Sequence, residues 1–307
     1  MAHSLTETFA EASSLAAAKS QQVRQPARYL FASALAGAYV GVAVVLLIAV
    51  SAPFAAAGSP ATKLVQGAVF GIALTLVVFA GAELFTGNAM YLLQGFYART
   101  VRWPAVALVW IGSLVGNLIG SLAFAALVHG GGTMGSGDGS SPTEALIATM
   151  TAGKVAATGP QLLWRAVLCN MLVCLALWMA NRATSDMAKL GVMWWALLAF
   201  IASGFEHSVA NMTIFSLGVF QGSTTWLELG RNLLWTVPGN VLGGGLLIGL
   251  GYAWLAGPRG PVTGDAATAT EPAPHGSLSA AVSHANGDGP GRASTGNGHH
   301  AHQETGG

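Results

Sequence analysis

The residues with the clearest chemical potential lie in the stretch GFEHSVANM at 204–212, inside the apolar run WWALLAFIASGFEHSVANMTIFSL. A charged side chain at the centre of a membrane costs roughly 2.5–3.5 kcal/mol even on the mildest insertion scale. Ionisable residues at that depth are rare and are functional by default. Glu206 and His207 are therefore candidates for a site, and the imidazole could hold or pass a proton near neutral pH.

The same pattern occurs a second time in the chain. The stretch GAELFTGNAM at 81–90 shares Gly-x-Glu-x4-Asn with residues 204–211, at an offset of 123 residues (204 − 81 = 123). A second motif, Gly-Asn-x-x-Gly, appears as GNLIG at 116–120 and as GNVLG at 239–243, with the same offset. Two motifs that agree on one offset indicate an internal repeat. The aligned pairs are Gly81 with Gly204, Glu83 with Glu206, and Asn88 with Asn211.

The elements that must position these residues are membrane spans. Of the 307 residues, 53% are hydrophobic and only 8% are charged, whereas a soluble domain carries about 25% charged residues. Several apolar segments reach the roughly 20 residues that cross a bilayer core. These segments are 29–50, 65–95, 105–128, 161–181, 190–220 and 230–256. The composition predicts an all-α membrane protein with six transmembrane helices per protomer.

The repeat predicts how these spans are arranged. Each copy, 29–128 and 161–256, holds three spans, and an odd number brings the second copy into the membrane from the opposite side. We therefore expect an inverted 3+3 repeat. Segments 65–95 and 190–220 are longer than one span needs, which predicts that the second and fifth helices are broken and their backbone is covered by protein. The breaks are expected near 81–88 and 204–211.

The polar residues of the repeated motif are predicted to support these breaks. We expect Glu83 and Glu206 to accept hydrogen bonds from the exposed amides of the two breaks, in preference to contacting a substrate. Asn88 and Asn211 belong to the same motifs and are assigned to loop support as well.

Two further polar side chains beside the breaks, Thr86 and His207, remain to meet a solute. The alternative for His207 is a core histidine bonded to Glu206 or to a carbonyl. Thr86 alone carries little weight, because threonine often bonds its own helix backbone. Together, at the junction of two inverted copies, the two side chains define a candidate substrate site near the membrane midplane.

Basic residues predict the orientation of the chain and the charge of its solute. With the N-terminus inside, eight cations fall on the cytoplasmic side, so both termini are expected to be cytoplasmic. The outward side collects Lys63, Lys154, Arg165 and Arg231, which would concentrate small anions. No lysine or arginine sits at the predicted midplane. The solute is therefore expected to be a small monovalent anion that can take a proton.

Two flanking segments complete the predicted domain organisation around the channel domain, 29–256. Residues 1–28 carry apolar side chains at helical spacing, which predicts a cytoplasmic amphipathic helix at the membrane surface or, alternatively, a partly ordered tail. Residues 257–307 are rich in Gly, Ala, Pro, Ser and His and cannot bury enough apolar surface to order themselves. The histidines of this tail could hold a metal ion, but an unstructured hydrophilic tail is favoured. They are His299, His300 and His302.

Several motifs resemble those of the formate/nitrite transporter family. They are ELFTGN at 83–88, CNMLVCLALWMA at 169–180, GFEHSVANM at 204–212 and LLWTVPGNVLGG at 233–244. These motifs follow the family's order over about residues 28–256, and the stretches around them look closest to the nitrite channel branch. Asn88-Ala89 differs from the His-Thr of enterobacterial nitrite channels, which keeps formate and hydrosulfide as alternative substrates.

The resemblance implies a homopentamer with an aquaporin-like fold and one pore per protomer, in a bacterial inner membrane. It implies that His207 is the central pore histidine, with Thr86 as its partner. It also implies two hydrophobic constrictions, and further pore and vestibule positions. The constrictions are Leu84 with Phe85 and Phe70 with Phe200, and the further positions are Asn170, Val173, Asn240 and Lys154. Its expected partners are a small anion, nitrite or formate, and the lipid bilayer, with no nucleic acid and no cofactor.

Two rival function classes fit less well. A neutral-solute pore of the aquaporin type would carry Asn-Pro-Ala motifs, but Asn88 is followed by Ala89 and Asn211 by Met212. An intramembrane hydrolase would need a nucleophile, and Ser203 lies only four residues before His207 without the first glycine of a Gly-x-Ser-Gly element. The sequence therefore predicts a channel or transporter for weak-acid anions, with nitrite as first candidate, rather than an enzyme.

Overall fold

The computed structural model of the chain describes residues 2–135 and 139–257. Every regular element within these residues is a helix, which confirms the all-α prediction. The helices are α1 (Leu5–Gln22), α2 (Pro26–Ala56), α3 (Thr62–Phe70), α4 (Ile72–Phe79), α5 (Phe85–Tyr97), α6 (Trp103–Gly130), α7 (Pro142–Ala156), α8 (Gly159–Arg182), α9 (Asp186–Ala202), α10 (Ser208–Phe220), α11 (Trp226–Asn240) and α12 (Gly251–Leu255), with a π-helix (Val241–Leu250) between the last two. The predicted tail and its three histidines lie outside the described residues.

Five helical stretches among the described residues are long and apolar enough to cross a membrane. They are Pro26–Ala56, Thr62–Phe79, Trp103–Gly130, Gly159–Arg182 and Trp226–Leu255. The remaining predicted span, 190–220, is divided between α9, with 17 residues, and α10, with 13 residues. Neither alone reaches the roughly 20 residues that a full crossing needs. Among the described residues, five helical stretches thus meet the length and composition of a span, and the predicted span 190–220 consists of two shorter helices.

The two predicted helix breaks are present and are shorter than expected, at residues 80–84 and 203–207. The second residue of each break is a glycine at φ 73°, Gly81 in the first and Gly204 in the second. This left-handed backbone ends a helix readily only at glycine. Helices α5 and α10 then begin at once, so the second half of each predicted break is helical. Thr86, Asn88 and Asn211, which were expected to lie in the breaks, are therefore helical.

The repeated Gly-Asn-x-x-Gly motif is explained by two equivalent helix crossings. In the first half, a Cβ at Gly120 of α6 would lie 1.8 Å from the carbonyl oxygen of Ala34 in α2. In the second half, a Cβ at Gly243 would lie 2.0 Å from the carbonyl oxygen of Val167 in α8. Small residues allow helix backbones to approach this closely within a membrane. The motif therefore marks where the third helix of each half crosses the first.

Helix α1 packs its apolar face against the rest of the chain. Phe9, Ala12 and Ala16 are at most 3% exposed, and a Cβ at Gly95 of α5 would lie 2.4 Å from the Cβ of Ala16. These buried side chains belong to the apolar face that the helical spacing of residues 1–28 predicts. Helix α1 is therefore part of the helical body.

Helix α7 occupies the corresponding place before the second half. Both helices begin with a capping box, formed by Ser4 with Glu7 in α1 and by Ser141 with Glu144 in α7. The hydrogen bonds from Ser4 lower the pKa of the exposed Glu7 carboxyl below its usual value. Each half of the chain thus consists of a short capped helix followed by the spans, so the structural unit begins earlier than the predicted repeat copies 29–128 and 161–256.

The α2–α6 crossing gives a first prediction. Gly120→Ala is expected to push the two helices apart and to destabilise the protein by about 1–3 kcal/mol, because its Cβ would meet backbone and not a flexible side chain. Thermal unfolding of the detergent-purified protein measures this loss. Gly130→Ala, in the same helix, has no atom within 4 Å of the added Cβ and serves as the control. Equal melting temperatures for both variants would contradict the close crossing.

Candidate functional site

The two helix breaks are held by a pair of buried asparagines from the third helix of each half. The first free amide of α5, on Phe85, donates to Asn117 Oδ1 at 2.9 Å. The first free amide of α10, on Ser208, donates to Asn240 Oδ1 at 2.9 Å. Both asparagines are fully buried. The breaks are therefore fixed by the same interaction on both sides of the structure.

The same asparagines also donate to two carbonyl groups each, one in the break and one in the first helix of the same half. Asn117 Nδ2 donates to the carbonyl oxygens of Ser33 and Glu83, at 2.7 and 2.9 Å. In the second half, Asn240 Nδ2 donates to the carbonyl oxygens of Ala166 and Glu206, at 2.8 and 3.1 Å. A carboxamide offers both donors and acceptors, whereas an ionised carboxylate only accepts. Only a carboxamide can therefore satisfy both kinds of group in one break.

This arrangement corrects the predicted role of Glu83 and Glu206, whose side chains do not bond the break amides. Glu83 instead accepts from Lys19 Nζ at 2.7 Å and from Asn88 Nδ2 at 3.1 Å. The sequence could have indicated Asn117, because it is the repeat partner of Asn240 at the offset of 123 residues. The contact of Lys19 with Glu83 joins residues from different elements, and no sequence motif marks it.

The second glutamate has the same kind of partners. Glu206 Oε2 accepts from Lys154 Nζ at 2.9 Å and from Asn211 Nδ2 at 2.7 Å. The glutamate is 3% exposed, so its charge is balanced by a lysine at close range. Lys19 lies in α1 and Lys154 in α7, the two helices that precede the spans of each half. Asn88 and Asn211, assigned to loop support, orient the two carboxylates.

His207 occupies the end of the second break, immediately before α10. Its Nε2 lies 3.2 Å from Thr86 Oγ1 of the first half, which brings together the two residues proposed from sequence. Its Nδ1 accepts the backbone amide of Ala210 at 3.1 Å and so caps α10. The ring stacks on Phe200, with centroids 5.9 Å apart. Its partners are thus neither Glu206 nor a carbonyl, as the core-histidine alternative required.

The hydrogen bonds of His207 define which ring nitrogen carries the proton. A nitrogen that accepts an amide N–H must be unprotonated, so Nδ1 of His207 carries no hydrogen when it caps Ala210. The single proton of the neutral ring then sits on Nε2 and points toward Thr86. The imidazole is therefore oriented as a donor at the junction of the two halves.

An apolar narrowing lies next to this histidine. Phe70 and Phe200 meet edge to face, with ring centroids 5.6 Å apart, and are at most 2% exposed. A cavity of about 10 Å³ beside them has room for a single water molecule at most. Its lining includes Phe70, Phe200, Leu84, Val173 and His207. These five predicted pathway residues therefore face one narrow space.

The described part of the chain also contains two larger cavities, of which the first shares Phe70, Phe200 and His207 with the narrow space. The first, of about 300 Å³, is lined by Phe200, Glu206 and His207 together with three cations, Lys63, Lys154 and Arg165. We call it the lysine vestibule. The second, of about 310 Å³, is lined by residues that include Arg28, Tyr29 and Glu83 and is called the inner vestibule. Four predicted pathway residues line none of these three cavities: Phe85, Thr86, Asn170 and Asn240.

Arg231, one of the four cations predicted to face outward, forms hydrogen bonds with the end of α7. The Arg231 guanidinium donates to the carbonyl oxygens of Val155 and Ala157, at 2.9 and 2.8 Å, and so holds the end of α7. It does not line the lysine vestibule. A positional count of basic residues could not distinguish a cation that faces the solute from one that caps a helix.

Broken helices in a multi-span helical body, with a cation-lined vestibule next to an apolar narrowing, define a membrane channel or transporter. A family model described as formate/nitrite transporter matches residues 6–254. The nitrite transporter NirC of Salmonella typhimurium is 43% identical over 243 residues, which cover 76% of this chain and 85% of that protein. The chain belongs to the formate/nitrite transporter family.

Two solved structures share the fold. One, described as an FNT family ion channel, matches with a TM-score of 0.74 at 40% identity, and the match covers 82% of this chain and 100% of the other. The other, a pentameric formate channel with formate bound, matches with a TM-score of 0.62 at 26% identity, over 76% and 97% of the two chains. The fold prediction made from sequence resemblance is thus confirmed by structural neighbours.

The asparagine supports give a second prediction. Asn240→Asp keeps an acceptor for the Ser208 amide but loses both donors, so the Glu206 carbonyl in the break is left unsatisfied, at about 1–3 kcal/mol, and the Ala166 carbonyl loses its side-chain donor. We expect a large fall in thermal stability and in the yield of folded protein. Asn117→Asp is expected to act equally, because its bonds are equivalent. Asn181→Asp, which loses only one bond to Tyr91 Oη, is the milder comparison, and a greater loss there would contradict the proposed support.

Proposed function

We propose that the chain conducts small monovalent weak-acid anions, with nitrite as its first substrate, across a bacterial inner membrane. The observation that carries this proposal is the place of His207, one titratable side chain between an apolar narrowing and a vestibule with three cations. Identity of 43% to a nitrite transporter favours nitrite. Formate is the second substrate to test, because a structural neighbour binds it.

Charge in the lysine vestibule supports an anion as the solute. Lys154 is paired with Glu206, whereas the side chains of Lys63 and Arg165 form no hydrogen bond or ion pair with the described part of the chain. Two unpaired cations around a recessed cavity raise the local concentration of anions. The anion then meets the apolar narrowing, where further progress as a dehydrated ion is costly.

Neutralisation is the mechanism that fits the narrowing. Desolvating an ion costs several kcal/mol, whereas moving a proton from imidazolium, near pKa 6.5, to an acid near 3.5 costs roughly 4 kcal/mol in water. The anion can therefore pass the Phe70–Phe200 narrowing at lower cost as its acid. Beyond the narrowing the acid returns its proton to the imidazole or to water. Release to water carries one proton across with each anion, whereas return to the imidazole moves the anion alone.

The cap on α10 limits how long His207 can hold a second proton. The ring has its proton on Nε2, so an added proton must enter at Nδ1 and displace the Ala210 amide. An unsatisfied buried donor costs about 1–3 kcal/mol. The imidazolium is therefore short-lived, and its Nε2 proton passes to the anion while Nδ1 keeps the proton it gained. Once Nε2 has taken up a proton again, loss of the Nδ1 proton restores the neutral ring that caps α10.

The assembly and orientation follow from the same proposal. A homopentamer is supported by the pentameric neighbour and by large apolar side chains exposed on the protomer, among them Trp103, Trp195 and Trp254. The basic residues on α1 and on the inner loops favour cytoplasmic termini. The lysine vestibule then faces outward and receives the anion.

The proton step gives a third prediction. His207→Asn keeps a polar side chain but cannot carry a proton, so weak-acid uptake should either stop or continue as an anion leak without proton movement. Nitrite uptake and internal pH are recorded together in proteoliposomes, with formate run in parallel. A wild-type protein that moves neither anion would contradict the proposed function. Unchanged nitrite flux with unchanged proton movement in His207→Asn would reduce His207 to a structural residue.

The vestibule gives a fourth prediction. Lys63→Gln should raise the apparent KM for external nitrite several-fold at low ionic strength with little effect on the maximal rate, because the residue attracts the anion and does not touch the narrowing. High salt should remove most of the difference, since charges are screened over about 8 Å at physiological ionic strength. Lys189→Gln, a surface lysine paired with Asp186, is the control. An equal effect of both substitutions would rule out local attraction by Lys63.

A further inference from the structure

The two helix crossings that support the breaks differ in one reciprocal exchange of residues. One turn after Ser33 in the first half, α2 carries Gly37, and one turn after Asn117, α6 carries Ser121, which donates to the Gly37 carbonyl at 3.3 Å. The second half carries Asn170 one turn after Ala166 and Gly244 one turn after Asn240. In the first half the polar side chain is on the third helix and the glycine on the first, whereas in the second half the polar side chain is on the first helix and the glycine on the third.

Asn170 uses this position to join the two halves of the chain. Its Nδ2 donates to the Asn240 carbonyl at 2.7 Å and to the Thr86 carbonyl at 3.0 Å. The thiol of Cys174, one turn further along α8, also donates to the Thr86 carbonyl, at 3.2 Å. All of these groups are fully buried. The backbone of Thr86 is therefore held by two side chains of the opposite half.

Gly244 provides the space in which these two side chains lie. A Cβ at residue 244 would be 2.3 Å from Asn170 Nδ2 and 2.5 Å from Cys174 Sγ. Both distances are shorter than any that packed atoms adopt, so one or both side chains would have to move. The helix is also of the π type here, from Val241 to Leu250, while α6 of the first half is α-helical throughout. Local π geometry is often associated with functional sites.

We propose that Gly244 is a positioning residue for the Thr86–His207 pair. By leaving room for Asn170 and Cys174, it allows both side chains to hold the Thr86 carbonyl, and this fixes the Thr86 hydroxyl within reach of His207 Nε2. Gly244 touches neither the anion nor the histidine. The inference rests on the proposed function, because it assigns the residue through its effect on the central pair.

The test measures whether Gly244 acts through Thr86. Gly244→Ala is expected to lower the initial rate of nitrite uptake about tenfold, since small displacements of a positioned group reduce rates strongly. Thr86→Val removes the hydroxyl and keeps the side-chain shape. In a Thr86→Val background, Gly244→Ala should cause no further loss, because groups that act as one unit are not additive. Loss of the same factor in both backgrounds would show a general structural role and overturn the proposal.

A matched control and a milder variant keep the outcome decisive. Ser121→Ala changes the equivalent crossing of the first half, which does not contact Thr86, and should leave uptake unchanged. If Gly244→Ala does not assemble, Cys174→Ala removes one donor to Thr86 without added volume and should lower uptake more than Cys174→Ser, which keeps a donor. Equal uptake by the two Cys174 variants would then overturn the proposal.

Two outcomes separate this inference from the proposed function. Wild-type protein that takes up nitrite or formate, together with a Gly244→Ala variant that matches it in rate and proton movement, rejects the positioning role alone. Wild-type protein that takes up neither anion rejects the proposed function first. Thermal unfolding of every variant before reconstitution confirms that the rates compare folded proteins.

Discussion

The structure depends on how two interrupted helices satisfy their backbone inside an apolar environment. A break at membrane depth exposes both N–H and C=O groups, and each unsatisfied group costs several kcal/mol in hydrocarbon. Asn117 and Asn240 meet both demands with one carboxamide each. Because the breaks are stable, the polypeptide can present His207 and the start of α10 in the interior. The vestibules, the narrowing and the central pair all follow from these two supports.

The two halves share the residues that support the breaks but differ in the residues at the central site. Both halves have a glycine in the break, an asparagine that supports it and a glutamate paired with a lysine. The residues that follow each glutamate differ. In the alignment of the two halves, Leu84, Phe85 and Thr86 correspond to His207, Ser208 and Val209. A twofold framework thus carries an asymmetric interior. One half contributes the imidazole and the other the hydroxyl that meets it.

The sequence predicted the positions of the helix breaks better than it predicted the side-chain contacts that support them. The motif around Glu206 and His207, its twin at Glu83 and the common offset predicted the breaks, because glycines and buried charges in an apolar run have few physical explanations. The same reasoning gave the amide-accepting role to the glutamates, because it considered acceptors and overlooked the freed carbonyls. The bond of Lys19 to Glu83 depends on how α1 packs against the rest of the chain, which the helical spacing of residues 1–28 does not specify.

The lysine–glutamate pairs have a consequence for how the chain is made. In each half the lysine lies on a short helix that precedes the spans, so Lys19 is translated before Glu83 and Lys154 before Glu206. A ribosome therefore releases each base before the acid that it will neutralise. When the carboxylate reaches the bilayer, its counterion already belongs to the nascent chain. The order of synthesis thus makes each counterion available before its carboxylate enters the bilayer.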